Sequence, residues 1–205
     1  MKKLACYILI IAVLGIAFAI SEATANEKEI MSKSQSDRTD VFSEVKDEGM
    51  PPKGFVDLVI KASIKTHLEG YYILESRESL HGKQGYPFLI NIDGQAAIWK
   101  IDGLKDTKPP YDKDGKTNPD PESGEGVKYF LEKKVRLTAG SHRIFFGLPE
   151  ENYSKNFDIT LKEDEVYVLE FKPTYKYKTR PYRIPTFLKG IKHYTVSLYK
   201  IPDAH

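Results

Sequence analysis

Hydrophobic and polar positions divide the chain into three parts. An almost uninterrupted apolar run extends from Leu4 to Ile20, residues 26–54 are mostly polar, and short apolar segments separated by turns begin at Phe55. These segments are rich in β-branched and aromatic residues, which is typical of strands, and an amphipathic helical pattern is absent after residue 54. The pattern predicts an all-β fold, an antiparallel β-sandwich whose two inner faces supply the core.

About seven to nine strands are expected in one domain, residues 55–205, with turns that contain Gly, Pro and Asp. The predicted strands are Phe55–Ile60, Tyr71–Leu74, Phe88–Ile92, Ala97–Ile101, Val127–Leu137, Arg143–Leu148, Phe157–Leu161, Val166–Phe171 and Tyr194–Ile201. A loop insertion, residues 105–126, interrupts them. With 40% hydrophobic and 12% aromatic residues, the chain can bury a sizeable core.

The N-terminal part has the order of a secretory signal peptide. Lys2 and Lys3 precede the apolar run, and Ala23-Thr24-Ala25 supplies small residues for cleavage. Residues 1–25 are therefore predicted to direct export, to the periplasm or the cell exterior, and to be removed. An uncleaved membrane anchor is the alternative, because the apolar run is close to the shortest length that spans a bilayer.

Residues 26–54 are rich in Lys, Glu, Ser, Asp and Thr and end in Gly49-Met50-Pro51-Pro52-Lys53-Gly54. Such a composition buries too little apolar surface to offset the entropy of ordering. We therefore expect a flexible spacer between the signal peptide and the folded domain, with at most a short helical turn around Val41–Val45.

Charge and cysteine content exclude several classes of protein. The 31 basic and 29 acidic residues give a net charge of +2, which is too small for a general nucleic-acid-binding protein. The single cysteine, Cys6, lies in the predicted signal peptide and precedes most of its apolar run. Disulfide scaffolds, cysteine-ligated metal sites, cysteine nucleophiles and a lipid anchor at Cys6 are therefore not expected.

Three stretches carry a resemblance to a known family: a strand that ends in Asp-Gly, a tight turn of the form Leu-x-x-Gly-x-His, and an alternating hairpin. They are Ile90-Asn91-Ile92-Asp93-Gly94, then Val135-Arg136-Leu137-Thr138-Ala139-Gly140-Ser141-His142-Arg143-Ile144, then Phe157 to Leu161 with Val166 to Phe171. Between residues 88 and 172 the chain resembles the PEGA-type β-sandwich domains of bacterial envelope proteins, although the Pro-Glu-Gly-Ala tetrad is missing. The resemblance implies an extracytoplasmic accessory module and no particular reaction.

The insertion contains a candidate calcium site. Oxygen-bearing side chains alternate around Gly115, which permits a sharp turn, and hard cations such as calcium prefer oxygen ligands. The candidate ligands are Asp112, Asp114, Asn118 and Asp120. The same residue types are common in any exposed loop, so a plain solvated loop is the alternative.

The C-terminal stretch contains a candidate binding surface. Between Phe171 and Pro202 there are eight basic residues and no Asp or Glu. Aromatic residues alternate with the charges, a mixture that can attract an anionic polymer while rings contact sugars or a membrane interface. The candidate ligand-binding residues are Tyr175, Lys176, Tyr177, Lys178, Arg180, Tyr182 and Arg183. A charged edge strand that discourages aggregation is the alternative.

Sequence motifs for catalysis are missing. The five histidines are His67, His81, His142, His193 and His205. They form no His-Glu-x-x-His motif, and the chain has no Gly-x-Ser-x-Gly nucleophile motif. We expect His142 to be a packed or turn-stabilising residue, His67 to add local surface polarity beside Glu69, and Trp99 to belong to the core.

These observations favour a non-enzymatic, exported envelope module, binding or structural, which contacts an anionic glycan, a lipid surface or a partner protein. The alternative is a calcium-assisted carbohydrate-binding or carbohydrate-processing accessory domain centred on the insertion. Neither hypothesis includes a nucleic-acid partner. Salt should weaken binding under the first hypothesis, whereas chelation should weaken it under the second.

Overall fold

The computed structural model describes residues 26–36, 38–46, 49–111, 113–116, 118–176 and 186–201. The predicted signal peptide and its cleavage site lie outside the described residues. Within the described part of the chain, no helix is both long and apolar enough to cross a membrane.

Two β-sheets form the domain, as the alternating pattern predicts. Its strands are β1 (Phe42–Glu44), β2 (Phe55–Thr66), β3 (Tyr86–Ile92), β4 (Gln95–Ile101), β5 (Leu104–Lys108), β6 (Gly124–Thr138), β7 (Gly140–Leu148), β8 (Tyr153–Leu161), β9 (Val166–Tyr175) and β10 (Ile191–Lys200). The first sheet has the order β1-β6-β2-β9-β10, and β5 also pairs with β6. The second sheet has the order β4-β3-β7-β8. Short 3-10 helices, Pro149–Glu151 and Thr186–Lys189, follow β7 and precede β10.

The core lies between the two sheets, where one side chain in two points inward from each strand. Ile60 and Phe171 in the first sheet and Phe88 and Phe146 in the second are fully or almost fully buried. The rings of Phe146 and Phe171 stack with centroids 4.1 Å apart, which joins the two inner faces. Trp99 is buried in this core, as predicted, and its Nε1 donates a hydrogen bond of 2.6 Å to Glu44.

Two details of strand assignment differ from the prediction. β2 and β9 run parallel, so the first sheet is mixed, although its other pairings are antiparallel. The predicted strand Tyr71–Leu74 is wrong, because these residues form turns between β2 and β3. A short apolar run can be a strand or an exposed loop, and periodicity alone cannot separate the two.

The insertion is shorter than predicted. Residues at both predicted ends of the insertion belong to β5 and β6, which pair with each other from Leu104↔Lys128 to Lys108↔Gly124. The remaining loop therefore covers residues 109–123.

The described residues of the predicted flexible spacer pack against the domain. Residues 26–34 form a helix, α1, whose Ile30 is buried against Leu89 and Phe145 on the outer side of the second sheet. The expected helical turn around Val41–Val45 contains strand β1 instead, where Phe42 is buried and pairs with Leu137 of β6. The segment is polar on average, but its buried residues Ile30 and Phe42 both pack against the domain.

Candidate functional site

Residues 67–85 connect β2 to β3 through a series of tight turns. Four backbone hydrogen bonds of 3.1–3.2 Å close these turns. The far end of the loop returns to the end of β2, because Gly82 N–H donates to Thr66 Oγ1 at 3.1 Å. Leu80 N–H donates to Glu150 Oε2 at 3.0 Å, which ties the loop to the 3-10 helix Pro149–Glu151. The loop therefore folds over one end of the sandwich.

This folding brings three metal-ligating side chains together: His67, Glu75 and His81. His81 Nδ1 lies 3.1 Å from His67 Nε2 and 3.1 Å from Glu75 Oε1. His67 Nε2 lies 3.3 Å from the same Glu75 oxygen. The three side chains are 7, 18 and 21% exposed, respectively, so they are largely withdrawn from water. We call these three residues the His–Glu cluster.

The partners of the two histidine rings determine which nitrogens carry hydrogen. His67 Nδ1 lies 2.9 Å from the carbonyl oxygen of Leu68, and His81 Nε2 lies 2.8 Å from Glu151 Oε1. Both partners only accept hydrogen bonds, so these two nitrogens are the donors. In the neutral rings, the lone pairs of His67 Nε2 and His81 Nδ1 therefore point towards each other and towards Glu75.

Additional contacts hold the two carboxylates in place. Ser79 Oγ donates to Glu75 Oε1 at 2.7 Å. Tyr86 OH donates to Glu151 Oε1 at 2.9 Å, so that oxygen accepts from both Tyr86 and His81. A carboxylate that orients a histidine from behind is the usual outer partner of a metal-ligating histidine.

The charges around His81 favour a cation in the cluster. Burial favours the neutral ring, but the hydrogen bond to Glu151 and the charges of Glu151, Glu75 and Glu150 outweigh it and raise the pKa of His81. Burial also opposes the charge of Glu151, yet its contacts with His81 and Tyr86 keep the pKa of that carboxyl below its ordinary value. A proton on His81 Nδ1 would satisfy the converging lone pairs, and a metal ion would compete with that proton for the same nitrogen.

A small cavity of about 180 Å³ lies beside the cluster. His67, His81 and Glu151 line it, together with Tyr72 and the buried ring of Phe187. Its volume is below the roughly 300–1,000 Å³ of pockets for drug-sized ligands. The cavity has room for water or a small ligand next to the histidine rings.

Sequence reasoning missed this cluster. His67 is buried and contacts His81 and Glu75, so the expected surface polarity beside Glu69 is wrong. The two histidines are separated by 14 positions, a spacing that matches none of the short metal motifs. The available signal was the density of His and Glu between two strands, and the assignment of Tyr71–Leu74 to a strand obscured it.

Among the described residues, no group of three or more His, Cys, Asp or Glu side chains gathers at the calcium candidates. Asn118 Oδ1 accepts from Asp120 N–H at 3.0 Å, and Asp120 Oδ1 accepts from Glu122 N–H at 2.9 Å. Asp120 Oδ2 pairs with Lys108 Nζ at 2.8 Å, and this hydrogen bond lowers the pKa of Asp120. Asp114 is exposed, and Asp112 lies outside the described residues. These contacts favour the alternative of a solvated loop.

The predicted C-terminal binding surface is only partly described. Tyr175 is buried, and its hydroxyl donates to Glu122 Oε1 at 2.9 Å and accepts from Lys65 N–H at 2.9 Å. The prediction that the Tyr175 ring is exposed for ligand binding is therefore wrong, and burial and the Glu122 charge also raise the pKa of its hydroxyl. Lys176 is exposed. The other candidates lie outside the described residues: Tyr177, Lys178, Arg180, Tyr182 and Arg183.

His142 stabilises turns, as predicted. Its Nδ1 lies 2.7 Å from Asp93 Oδ2, and its Nε2 lies 2.8 Å from the carbonyl oxygen of Thr138. The ring therefore connects the β3–β4 turn to the β6–β7 turn. It also borders a wide surface depression of about 600 Å³, whose exposed Arg143 and Asp158 pair with each other.

Comparison with known proteins adds no relative. No protein-family model matches the chain, and no curated protein or solved structure shows significant similarity to it. The resemblance to PEGA-type domains therefore stays a prediction.

Proposed function

We propose that this protein is an exported, non-enzymatic binding module that holds a divalent transition-metal ion, with zinc the best fit, at the His–Glu cluster. The observation that carries the proposal is the convergence of His67 Nε2, His81 Nδ1 and Glu75 Oε1, at 3.1–3.3 Å from one another. Two imidazoles and one carboxylate are a donor set that zinc uses in proteins.

The distances within the cluster support zinc rather than calcium. With bonds of about 2.0–2.1 Å, a tetrahedral ion needs its ligand atoms about 3.3–3.4 Å apart. The three distances in the cluster require adjustments of only a few tenths of an ångström. Calcium selects six to eight oxygen ligands at about 2.3–2.6 Å and discriminates against nitrogen. The fourth ligand of a tetrahedral ion would be water or a small molecule.

The surroundings of the cluster support binding rather than catalysis. The neighbouring carboxylates, which could act as a general base for zinc-bound water, are already engaged in hydrogen bonds. Glu151 holds His81 and Tyr86, and Glu150 accepts from the backbone of Leu80. The adjacent cavity is also smaller than a typical substrate pocket.

Calorimetric titration of the protein with zinc chloride is the first test. We expect one zinc ion to bind per chain, a rise in the unfolding temperature with added zinc, and no comparable effect of calcium chloride. His81→Gln removes one ligand atom and is expected to weaken zinc binding by about a hundredfold or more. His193→Gln is the matched control, because His193 is exposed on β10 and lies outside the cluster. Equal zinc affinity in the parent and in His81→Gln would overturn the proposal.

A second candidate function is salt-sensitive binding of an anionic glycan or lipid surface by the basic C-terminal segment. Its support is the exposure of Lys176 at the end of β9, where Lys176 N–H donates to Gly190 O at 2.9 Å. The chain between these two residues therefore leaves and returns at one end of the sheet, and it contains Lys178, Arg180 and Arg183.

Changing Lys176, Lys178, Arg180 and Arg183 together to Gln is expected to abolish retention on anionic glycans or anionic vesicles at low salt. Exposed charges act over about 8 Å at physiological ionic strength, so salt should release the parent protein in the same way. The matched control changes four other exposed lysines to Gln: Lys53, Lys100, Lys105 and Lys162. Equal loss of retention in both variants would show that net charge, rather than this segment, is responsible.

A further inference from the structure

The turn next to the His–Glu cluster presents two aliphatic side chains to solvent. Glu75 N–H donates to Tyr72 O at 3.2 Å, which makes Ile73 and Leu74 the two central residues of a β-turn. Each of these side chains is 98% exposed. In the part of the chain that is described, the next most exposed large hydrophobic residue is Leu104, at 68%. We call residues 72–75 the tip turn.

The residues of the tip turn are not those that a turn requires. Gly, Asn, Asp, Pro and Ser are favoured at the central positions of β-turns, because they suit the backbone or bond to it. Ile73 and Leu74 offer neither advantage, and their near-complete exposure contributes no packing to the fold. Apolar side chains at such a place indicate contact with another apolar phase.

The His–Glu cluster holds both ends of the tip turn. Glu75, its last residue, supplies one of the three ligand atoms. Tyr72, its first residue, packs edge-on against the His67 ring at 4.9 Å, and its hydroxyl donates to Leu188 O at 3.0 Å. An ion bound between His67 and Glu75 would therefore fix the orientation of Ile73 and Leu74.

We propose that a metal ion in the His–Glu cluster fixes the tip turn so that Ile73 and Leu74 insert into the interface of a lipid bilayer. The inference rests on the metal-binding function proposed above. Metal binding then controls membrane docking, because without the ion Glu75 is held by hydrogen bonds from Ser79 and His81, which are weaker than coordination bonds to a metal.

The shape and surroundings of the tip turn favour a lipid interface. The aliphatic pair is almost fully exposed, and Tyr71 and Tyr72, which directly precede it in the chain, are about half exposed. Aromatic residues next to an apolar tip are typical of proteins at a membrane interface. Apart from Glu75, which the ion would bind, the charged residues of the loop 67–85 are Glu69, Glu78, Arg77 and Lys83, and their formal charges sum to zero, so insertion does not require an anionic surface.

The position of the N terminus of the described domain supports the same occupant. The side-chain amide of Asn26 donates to the carbonyl oxygen of Asn152, and Asn152 directly follows Glu151, which holds His81. Asn26 is also the residue to which the apolar segment Leu4–Ile20 is connected through residues 21–25. In the alternative in which residues 1–25 stay uncleaved, the chain therefore joins its membrane-spanning segment at the same end of the sandwich as the tip turn.

An Ile73→Trp reporter tests the inference, because its fluorescence reads the environment of the tip turn whatever the rest of the chain contacts. Trp99, the only native tryptophan, is buried and supplies a constant background. With zinc chloride and vesicles of phosphatidylcholine, alone or mixed equally with phosphatidylglycerol, we expect the emission to shift to shorter wavelength. Chelation with EDTA should weaken vesicle binding of the reporter about tenfold or more. Leu74→Ser in the same reporter should weaken it about tenfold or more, because one aliphatic anchor is lost.

A Leu104→Trp reporter is the matched control, since this exposed site on β5 lies outside the tip turn and should show no shift. Zinc binding by calorimetry without an emission shift would overturn the membrane inference and leave the metal-binding function intact. An equal emission shift with zinc and with EDTA would overturn the inference that the metal ion governs membrane docking. A shift that depends on protein concentration without vesicles would identify a second copy of the chain as the occupant. If the parent binds zinc but the Ile73→Trp protein does not, Leu74→Trp replaces it as the reporter in the same assay.

Discussion

Replacing Asp57 with Asn is expected to lower the free energy of unfolding by about 3 kcal/mol, the low end of the cost of breaking a buried ion pair. The Asp57 side chain is fully buried near the start of β2. Its carboxylate accepts from Arg136 Nε at 2.7 Å and Nη2 at 3.0 Å, and pairs with Lys134 Nζ at 2.8 Å. Asn retains the shape but removes the charge, so both cations of β6 lose this counter-charge. Urea unfolding near neutral pH measures the loss.

The contribution of Asp57 depends on pH. Burial alone raises its pKa, but the hydrogen bonds and charges of Arg136 and Lys134 outweigh burial and lower the pKa from its ordinary value of 3.8. Because the unfolded state binds this proton more readily, the stabilisation is complete above pH 3.8 and is lost as pH falls through the lower folded-state pKa. The stabilities of the parent and of Asp57→Asn should therefore converge in acid, and a constant difference throughout acid titration would contradict this explanation.

Asp158→Asn is the matched control for the same chemical change at an exposed pair. Asp158 pairs with Arg143 at 3.3 Å, and their side chains are 71 and 73% exposed. Exposed pairs of this kind contribute about 0–1 kcal/mol, so the control should remain close to the parent. Similar losses in both variants would show that the burial of Asp57 is not the cause.

The strands could be predicted because alternation specifies which face of a strand is buried. In β8, Asp158 is exposed and Ile159 is buried, as the sequence pattern requires. The partner of each strand could not be predicted in the same way. β2 and β9 pair in parallel, with Asp57 opposite Val166. The alternation of apolar and polar residues in the two strands is the same for parallel and antiparallel pairing, because the connections and the rest of the core determine which strands pair.

The candidate site could not be predicted because its residues lie in a connection without a repeating pattern. His67, Glu75 and His81 are brought together by successive turns and by contacts with the 3-10 helix Pro149–Glu151, which is distant in sequence. The composition of the C-terminal segment was misleading in the opposite direction. Its aromatic residues predict an exposed surface, but Tyr175, Phe187 and Tyr194 are buried in the main hydrophobic core. A charged neighbour does not show which face of the chain a ring occupies.

Replacing Gly82 with Ala is expected to disrupt the His–Glu cluster and to weaken zinc binding by about a hundredfold or more. Gly82 has φ of +75°, which L-residues adopt at a cost of about 1–2 kcal/mol. An added Cβ would also lie 2.1 Å from Glu69 N and 2.6 Å from Leu68 C, both of which are backbone atoms. The loop can relieve this overlap only by moving residues 81–82 away from residues 68–69, which separates His81 from His67. Calorimetric zinc titration and urea unfolding measure the two effects.

Gly70→Ala separates backbone strain from the steric overlap in the Gly82→Ala experiment. Gly70 lies in the same loop with the same φ of +75°, but an added Cβ would meet no atom within 4 Å. Gly70→Ala should therefore lose about 1–2 kcal/mol of stability and keep zinc affinity within a few-fold of the parent. Gly82→Ala should lose more stability and most of the zinc affinity, because its methyl group pushes the two halves of the site apart. Equal zinc affinity in the two variants would show that close packing of residues 68–69 against residue 82 does not hold the ligands together.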